Sequence, residues 1–147
     1  MDRTIIVLCH GFWGQSLVND FQEFFGSSCE IKVFPLGKDT SKEKYEKDVL
    51  SYAKNKPQSI LVCDLFGSTT FQVALKIALD SKIPAFMNLS LGLLMSIADI
   101  LEEEKSFEES IDTLELNESL CRNNIVRLYH EFKNGGDTNG RIDTNKN

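Results

Sequence analysis

Two residues stand where chemistry could be done. His10 closes the apolar run "TIIVLCH" and is followed at once by Gly11, and Asp64 follows "SILVC" and opens "DLFGSTTF". Imidazole is the side chain whose ordinary pKa lies nearest neutrality, so at a strand end it suits proton transfer, metal ligation or phosphoryl acceptance. A carboxylate on one ring nitrogen would fix the tautomer and leave the lone pair of the other nitrogen free to attack. Directly after Asp64, "GSTT" (67–70) offers backbone N–H groups at a helix start together with hydroxyls. Gly67, Ser68 and Thr69 thus outline a phosphate cradle. The alternative is that Ser68 or Thr69 only caps the helix.

The elements that must position these residues follow from the apolar pattern. Short β-branched-rich runs at 4–9, 29–36, 59–66 and 83–89 read as strands. Between them lie helical stretches. Leu17, Val18, Phe21, Phe24 and Phe25 share one helical face, Thr40 or Ser41 caps a second helix, and Phe71, Ala74, Leu75, Ala78 and Leu79 form the buried row of a third. A fourth follows in "LSLGLLMSIADILEEE". The alternation predicts an α/β fold: an open, doubly wound, mainly parallel sheet of four strands with helices on both faces. Val126, Leu128 and Phe132 alternate within 123–132, which reads as a fifth, edge strand in preference to a last helical turn. One domain is expected over 1–133, and a disordered tail over 134–147, where turn and solvent residues dominate. In such sheets function collects beyond the carboxyl ends of the strands where strand order reverses, so His10 and Asp64 meet if the first and third strands are neighbours.

Composition narrows the field. A net charge of −6 and a pI of about 4.9 argue against nucleic acid, which is held mainly by clustered Lys and Arg. The run "EEEKSFEES" (102–110) reads as a solvated helix end or linker. Cys9, Cys29, Cys63 and Cys121 are widely spaced with no CxxC pair and no secretory-type segment before them, so reduced cytoplasmic thiols are expected. No apolar stretch approaches the roughly 20 residues that cross a bilayer. Only two histidines and scattered thiols are present, so no metal and no cofactor is expected.

"CHG" at 9–11, "DLFGSTTF" at 64–71 and "MNLSLGLLM" at 87–95 stand in the order and spacing of one known family. Over about its first 130 residues the chain resembles the mannose-class enzyme IIA components of the bacterial phosphoenolpyruvate-dependent sugar phosphotransferase system. The resemblance implies that His10 accepts a phosphoryl group, that Asp64 orients it, and that Ser68 and Thr69 receive the phosphoryl oxygens. It places Asn88 and Leu89 in a turn lining the same pocket. It further implies the small carrier protein HPr as donor, a IIB component as acceptor, a homodimer in the cytoplasm, and contact with the membrane only through permease components. The chain departs from the usual signature. The second glycine and the proline are replaced in "GSTT", the following Asn is Gln72, Ser90 stands for the proline after Asn-Leu, and Trp13 lies beside the site.

Three other readings compete. A stand-alone regulatory relative would signal by its phosphorylation state without feeding a permease. A receiver domain would be phosphorylated on Asp64, yet it needs an acidic pair after the first strand, where this chain has "CHG". A flavodoxin-like binder would want a hydroxyl- and glycine-rich loop there, and "HGFWGQS" is a poor version of one.

Overall fold

A computed structural model describes residues 2–139. The elements run β1 (Thr4–His10), α1 (Trp13–Phe24), β2 (Glu30–Leu36), α2 (Lys42–Lys54), β3 (Ser59–Cys63), α3 (Thr69–Ser81), β4 (Ala85–Phe86), α4 (Leu91–Glu102), α5 (Phe107–Leu116), a 3-10 turn (Cys121–Asn123) and α6 (Ile125–Asn139). The strands pair in the order β2-β1-β3-β4, all parallel. Chain order therefore reverses at β1, which has β2 on one side and β3 on the other. Register Leu8↔Cys63 ends the β1–β3 ladder just before His10 and Asp64.

Side chains alternate across a strand, so β1 feeds two cores. Ile5, Val7 and Cys9 pack with residues of α1, α4 and α5, whereas Ile6 and Leu8 pack with residues of α2, α3 and α6. β1 and β3 are buried on both faces, which is why they read as continuous apolar runs. This is the expected doubly wound architecture with helices on both sides of the sheet.

The helix starts are set by hydroxyl caps. Ser41, Ser68, Ser90 and Ser106 each accept a hydrogen bond from the backbone N–H three residues on, and Ser106 with Glu109 completes a capping box. That box turns part of the acidic run into the start of α5, a helix the loosened apolar pattern did not disclose. Arg3 locks the same corner from the other end of the chain, donating to the carbonyls of Leu101 and Lys105 and to Ser110 Oγ at 3.2 Å.

Four expectations need correction. The segment 123–132 is not a strand. Asn124 Oδ1 accepts the Arg127 N–H and starts α6, which carries Ile125 into the core. Only a single antiparallel bridge, Phe86↔Asn124, touches the sheet there. β4 spans two residues rather than 83–89. On α3 the buried row is Thr70, Val73, Ala74, Ile77 and Ala78, one residue out of phase with the expected face, because the polar Thr70 is drawn inward by a partner described below. On α1 the row is Gly14, Val18 and Phe21, while Phe24, the last residue of the helix, and Phe25, its C-cap, are exposed. α6 runs to Asn139, and residues 140–147 of the expected tail lie outside the described residues.

Candidate active site

His10 is the last residue of β1, and Gly11 turns the chain away at φ +59°, a left-handed conformation that glycine adopts without strain. β3 ends at Cys63, and Asp64 N–H still donates to Leu8 O at 3.0 Å across the ladder. The ladder therefore delivers both side chains to one place. Asp64 Oδ2 accepts two hydrogen bonds from His10, the backbone N–H at 2.7 Å and ring Nδ1 at 2.8 Å. Oδ1 accepts the Leu65 N–H at 2.9 Å and the Thr70 hydroxyl at 2.6 Å. Thr70 Oγ1 in turn lies 2.9 Å from Ser68 Oγ.

The Asp64 side chain is fully buried while that of His10 is 41% exposed. Burial alone would push the carboxyl up, yet the Thr70 hydroxyl, the His10 backbone N–H and the His10 ring together hold it below its ordinary value. Asp64 is thus a carboxylate at neutral pH. An ionised acceptor requires a donor, so Nδ1 of His10 carries the proton and Nε2, on the far side of the ring, keeps its lone pair.

His10 looks into an open cavity of about 770 Å³. Its other walls come from Gly11 and Phe12 after β1, Leu36, Gly37, Lys38, Thr40 and Lys42 between the end of β2 and the start of α2, and Thr69 at the start of α3. The N–H groups of Thr69 and Thr70, in the first turn of α3, have no hydrogen-bond partner among the described residues. They supply anion-binding donors of the kind found at helix N-termini. The thiols near His10 and Asp64 are fully buried and held in the protonated form: burial pushes Cys9 up, and burial with the nearby Asp64 charge pushes Cys63 up to about 12. Among the described residues no three His, Cys, Asp or Glu side chains are grouped to hold a metal ion.

The expected site residues fall into two sets. His10, Asp64, Gly67, Ser68 and Thr69 come together at the β1 and β3 ends, with Gly67 at φ +75° making the turn and Ser68 capping α3. Asn88 and Leu89 brace the end of β3 instead. The Asn88 backbone N–H faces the Cys63 thiol and Leu89 N–H donates to Cys63 O at 3.1 Å; like Asp64, Gly67 and Ser68 they are off the cavity wall, to which the expected set contributes His10 and Thr69. Asn88 does adopt a left-handed turn, at φ +63°. Sequence reasoning missed Thr70, whose signal was its place six residues after Asp64 in a helix with no other buried hydroxyl. It also missed Lys38, in the loop after β2, and Lys42, the first residue of α2, both of which line the cavity. Phe12, Leu65 and Phe66 are exposed large apolar side chains flanking His10 and Asp64 in the chain, and Trp13 is 44% exposed.

The sequence matches no protein-family model and no curated protein. Solved structures do match. The phosphotransferase system component EIIA from Streptococcus agalactiae superposes with a TM-score of 0.66 at 16% identity, over 74% of this chain and 86% of that one. The mannose/sorbose-specific IIA subunit of the phosphotransferase system from Enterococcus faecalis gives 0.59 at 17% identity, over 75% and 84%. A sigma-54 interaction domain protein from Enterococcus faecalis gives 0.61 at 14% identity, over 78% and 88%. The chain therefore has the fold of the phosphotransferase-system IIA components, and the likeness first read from "CHG" and "DLFG" recurs in three dimensions. Among the described residues no helix is long and apolar enough to cross a membrane.

Proposed function

We propose that this chain is a phosphocarrier of a sugar phosphotransferase system, accepting a phosphoryl group on His10 from HPr and passing it to a IIB component. The observation that carries this reading is the ring of His10 pinned through Nδ1 to buried Asp64, with Nε2 left free beside an open cavity. In the acceptance step the Nε2 lone pair forms the new N–P bond as the donor's N–P bond breaks, and the donor imidazole leaves with that bonding pair. The Nδ1 proton stays between His10 and Asp64, whose charge balances the ring as it becomes cationic. Both bonds are phosphohistidine linkages of similar energy, so alignment and neutralisation of the equatorial oxygens suffice.

The exposed apolar rim of Phe12, Trp13, Leu65 and Phe66 suits docking of a folded donor and acceptor rather than a free metabolite. The carrier acts in the cytoplasm, as a homodimer, and meets the membrane only through the permease that its acceptor serves. Incubation with phosphoenolpyruvate, enzyme I and HPr tests the reading. One acid-labile, base-stable phosphoryl group should appear and should vanish in His10→Ala, whereas wild-type labelling of His10→Ala contradicts it. His130 sits on α6 against Tyr129 with no carboxylate partner among the described residues, so His130→Ala should label normally.

A second reading, a regulatory protein that signals by its phosphorylation state, draws support from the shared fold of the sigma-54 interaction domain protein. Phosphorylation without transfer to any IIB component would favour it. The receiver reading loses ground, because each Asp64 oxygen already accepts two hydrogen bonds and the side chain is fully buried, so one oxygen would have to be freed and exposed before it could attack phosphorus.

A further inference from the structure

His10 shares its cavity with two cations, Lys38 and Lys42, and with no acidic side chain on the cavity wall. In a chain of net charge −6 such a mouth is against the average. Acidic residues are near in sequence, yet Asp39 lines a neighbouring cavity with Lys44, and neither Lys38 nor Lys42 makes an ion pair among the described residues. Lys42 is also the first residue of α2, the end of a helix at which the dipole disfavours a cation. Its ammonium is nonetheless held, donating to Gln72 Oε1 of α3 at 2.7 Å. Gln72 is one turn after Thr69, the α3 residue on the cavity wall, so the tether ties Lys42 to the helix whose first N–H groups have no partner among the described residues.

Resting on the phosphocarrier reading, we propose that Lys42, tethered by Gln72, and Lys38 form a cationic rim that contacts the oxygens of the phosphoryl group entering and leaving His10. Three sets of groups then surround the phosphoryl group. Nε2 binds phosphorus, the Thr69 and Thr70 amides take one side, and the two ammonium groups take the mouth of the cavity. Ammonium groups are well suited here because they carry full charge on flexible stems and can follow the phosphoryl group between donor and acceptor. The rim selects a phosphorylated donor by charge before any protein surface is matched.

Phosphoramidate tests this without a docking protein, since it is a small anion with a transferable phosphoryl group. Its P–N bond breaks as the Nε2–P bond forms, and its nitrogen leaves as ammonia with the bonding pair. The second-order rate of His10 labelling should fall about tenfold in the Lys38→Met/Lys42→Met double variant, the scale of a lost charge-assisted contact. Gln72→Leu should lower it less, Lys42→Arg should restore most of it, and Lys47→Met, away from the cavity, should leave it unchanged. Added salt should slow wild type but not the double variant. Labelling of the double variant at the wild-type rate with the wild-type salt dependence overturns the rim alone. Absence of label on wild-type His10, with both phosphoramidate and HPr, overturns the phosphocarrier reading and the rim with it.

Discussion

A single oxygen of Asp64, Oδ2, holds both the backbone N–H of His10 at 2.7 Å and its ring Nδ1 at 2.8 Å. The end of β1 and the imidazole it carries are thereby fixed by one carboxylate that is itself anchored at the end of β3. Asp64→Asn keeps the shape but presents a neutral amide, whose NH2 group cannot accept the Nδ1 proton's hydrogen bond and favours the wrong tautomer. The rate of phosphoryl acceptance should fall on the order of 10³- to 10⁴-fold, as for other carboxylate-oriented histidines. Far-ultraviolet circular dichroism should be unchanged. Labelling at the wild-type rate would show that the carboxylate does not orient the ring.

The Thr70 hydroxyl, 2.6 Å from Asp64 Oδ1, holds the other oxygen from a fully buried position. Thr70→Val should cost about 2 kcal/mol of stability, because it removes a hydrogen bond to a charged group and leaves that group under-satisfied. It should also raise the Asp64 carboxyl. The charges and titratable groups around it are the His10 ring on β1, the protonated thiols of Cys9 and Cys63, and the Tyr45 hydroxyl on α2, and of these only His10 favours the carboxylate. The acid limb of the labelling rate should move to higher pH in Thr70→Val and return in Thr70→Ser. An unmoved limb with a lowered melting temperature would reduce Thr70 to a packing role.

The same carboxyl sets an acid dependence of stability. Asp64 is held below its ordinary value of 3.8 in the folded chain, so the ionised form contributes stability at every pH above that value. The contribution fades as pH falls from there toward the folded value and is gone beneath it. The stability gap between wild type and Asp64→Asn should therefore be constant near neutrality and shrink below pH 3.8. Chemical denaturation across pH measures it, and a gap that widens on acidification would reverse the assigned direction.

At Gly14, α1 passes close against the site strand. A Cβ there would stand 2.5 Å from Cys9 Sγ, and the thiol is wedged between the helix and the sheet. Gly14→Ala should cost about 1–3 kcal/mol by overpacking, with labelling slowed because His10 directly follows Cys9. Cys9→Ala/Gly14→Ala should recover part of that loss. An unshifted melting temperature in Gly14→Ala would mean that the strand and helix give way freely.

The parts of this architecture that were legible in the sequence are those set by strong local rules. β1 and β3 are apolar on both faces, so their runs, and the polar residues that end them, declared both the parallel sheet and the His10–Asp64 pair. The missed parts rest on tertiary partners. Thr70 counts as polar in a helical wheel, yet it is buried because Asp64 accepts its proton, and that shifts the α3 face by one residue. The alternation at 126, 128 and 132 suggested a strand, but the Asn124 cap and fully buried Ile125 begin a helix there. The α5 helix hid in an acidic run because its start depends on reciprocal Ser106 and Glu109 hydrogen bonds rather than on apolar period. Lys38 and Lys42 belong to no motif, and only the fold brings them to the mouth of the cavity.

The central claim is that Nε2 of His10 is the acceptor, with Nδ1 protonated toward Asp64, and it is tested most directly by nitrogen–phosphorus correlation NMR. Protein with ¹⁵N-labelled histidine, phosphorylated through enzyme I and HPr, should show phosphorus coupled to Nε2 of His10 alone. Nδ1 should keep its proton, and the ring of His130 should be unperturbed. Phosphorus on Nδ1, on His130 or on a carboxylate would contradict the account.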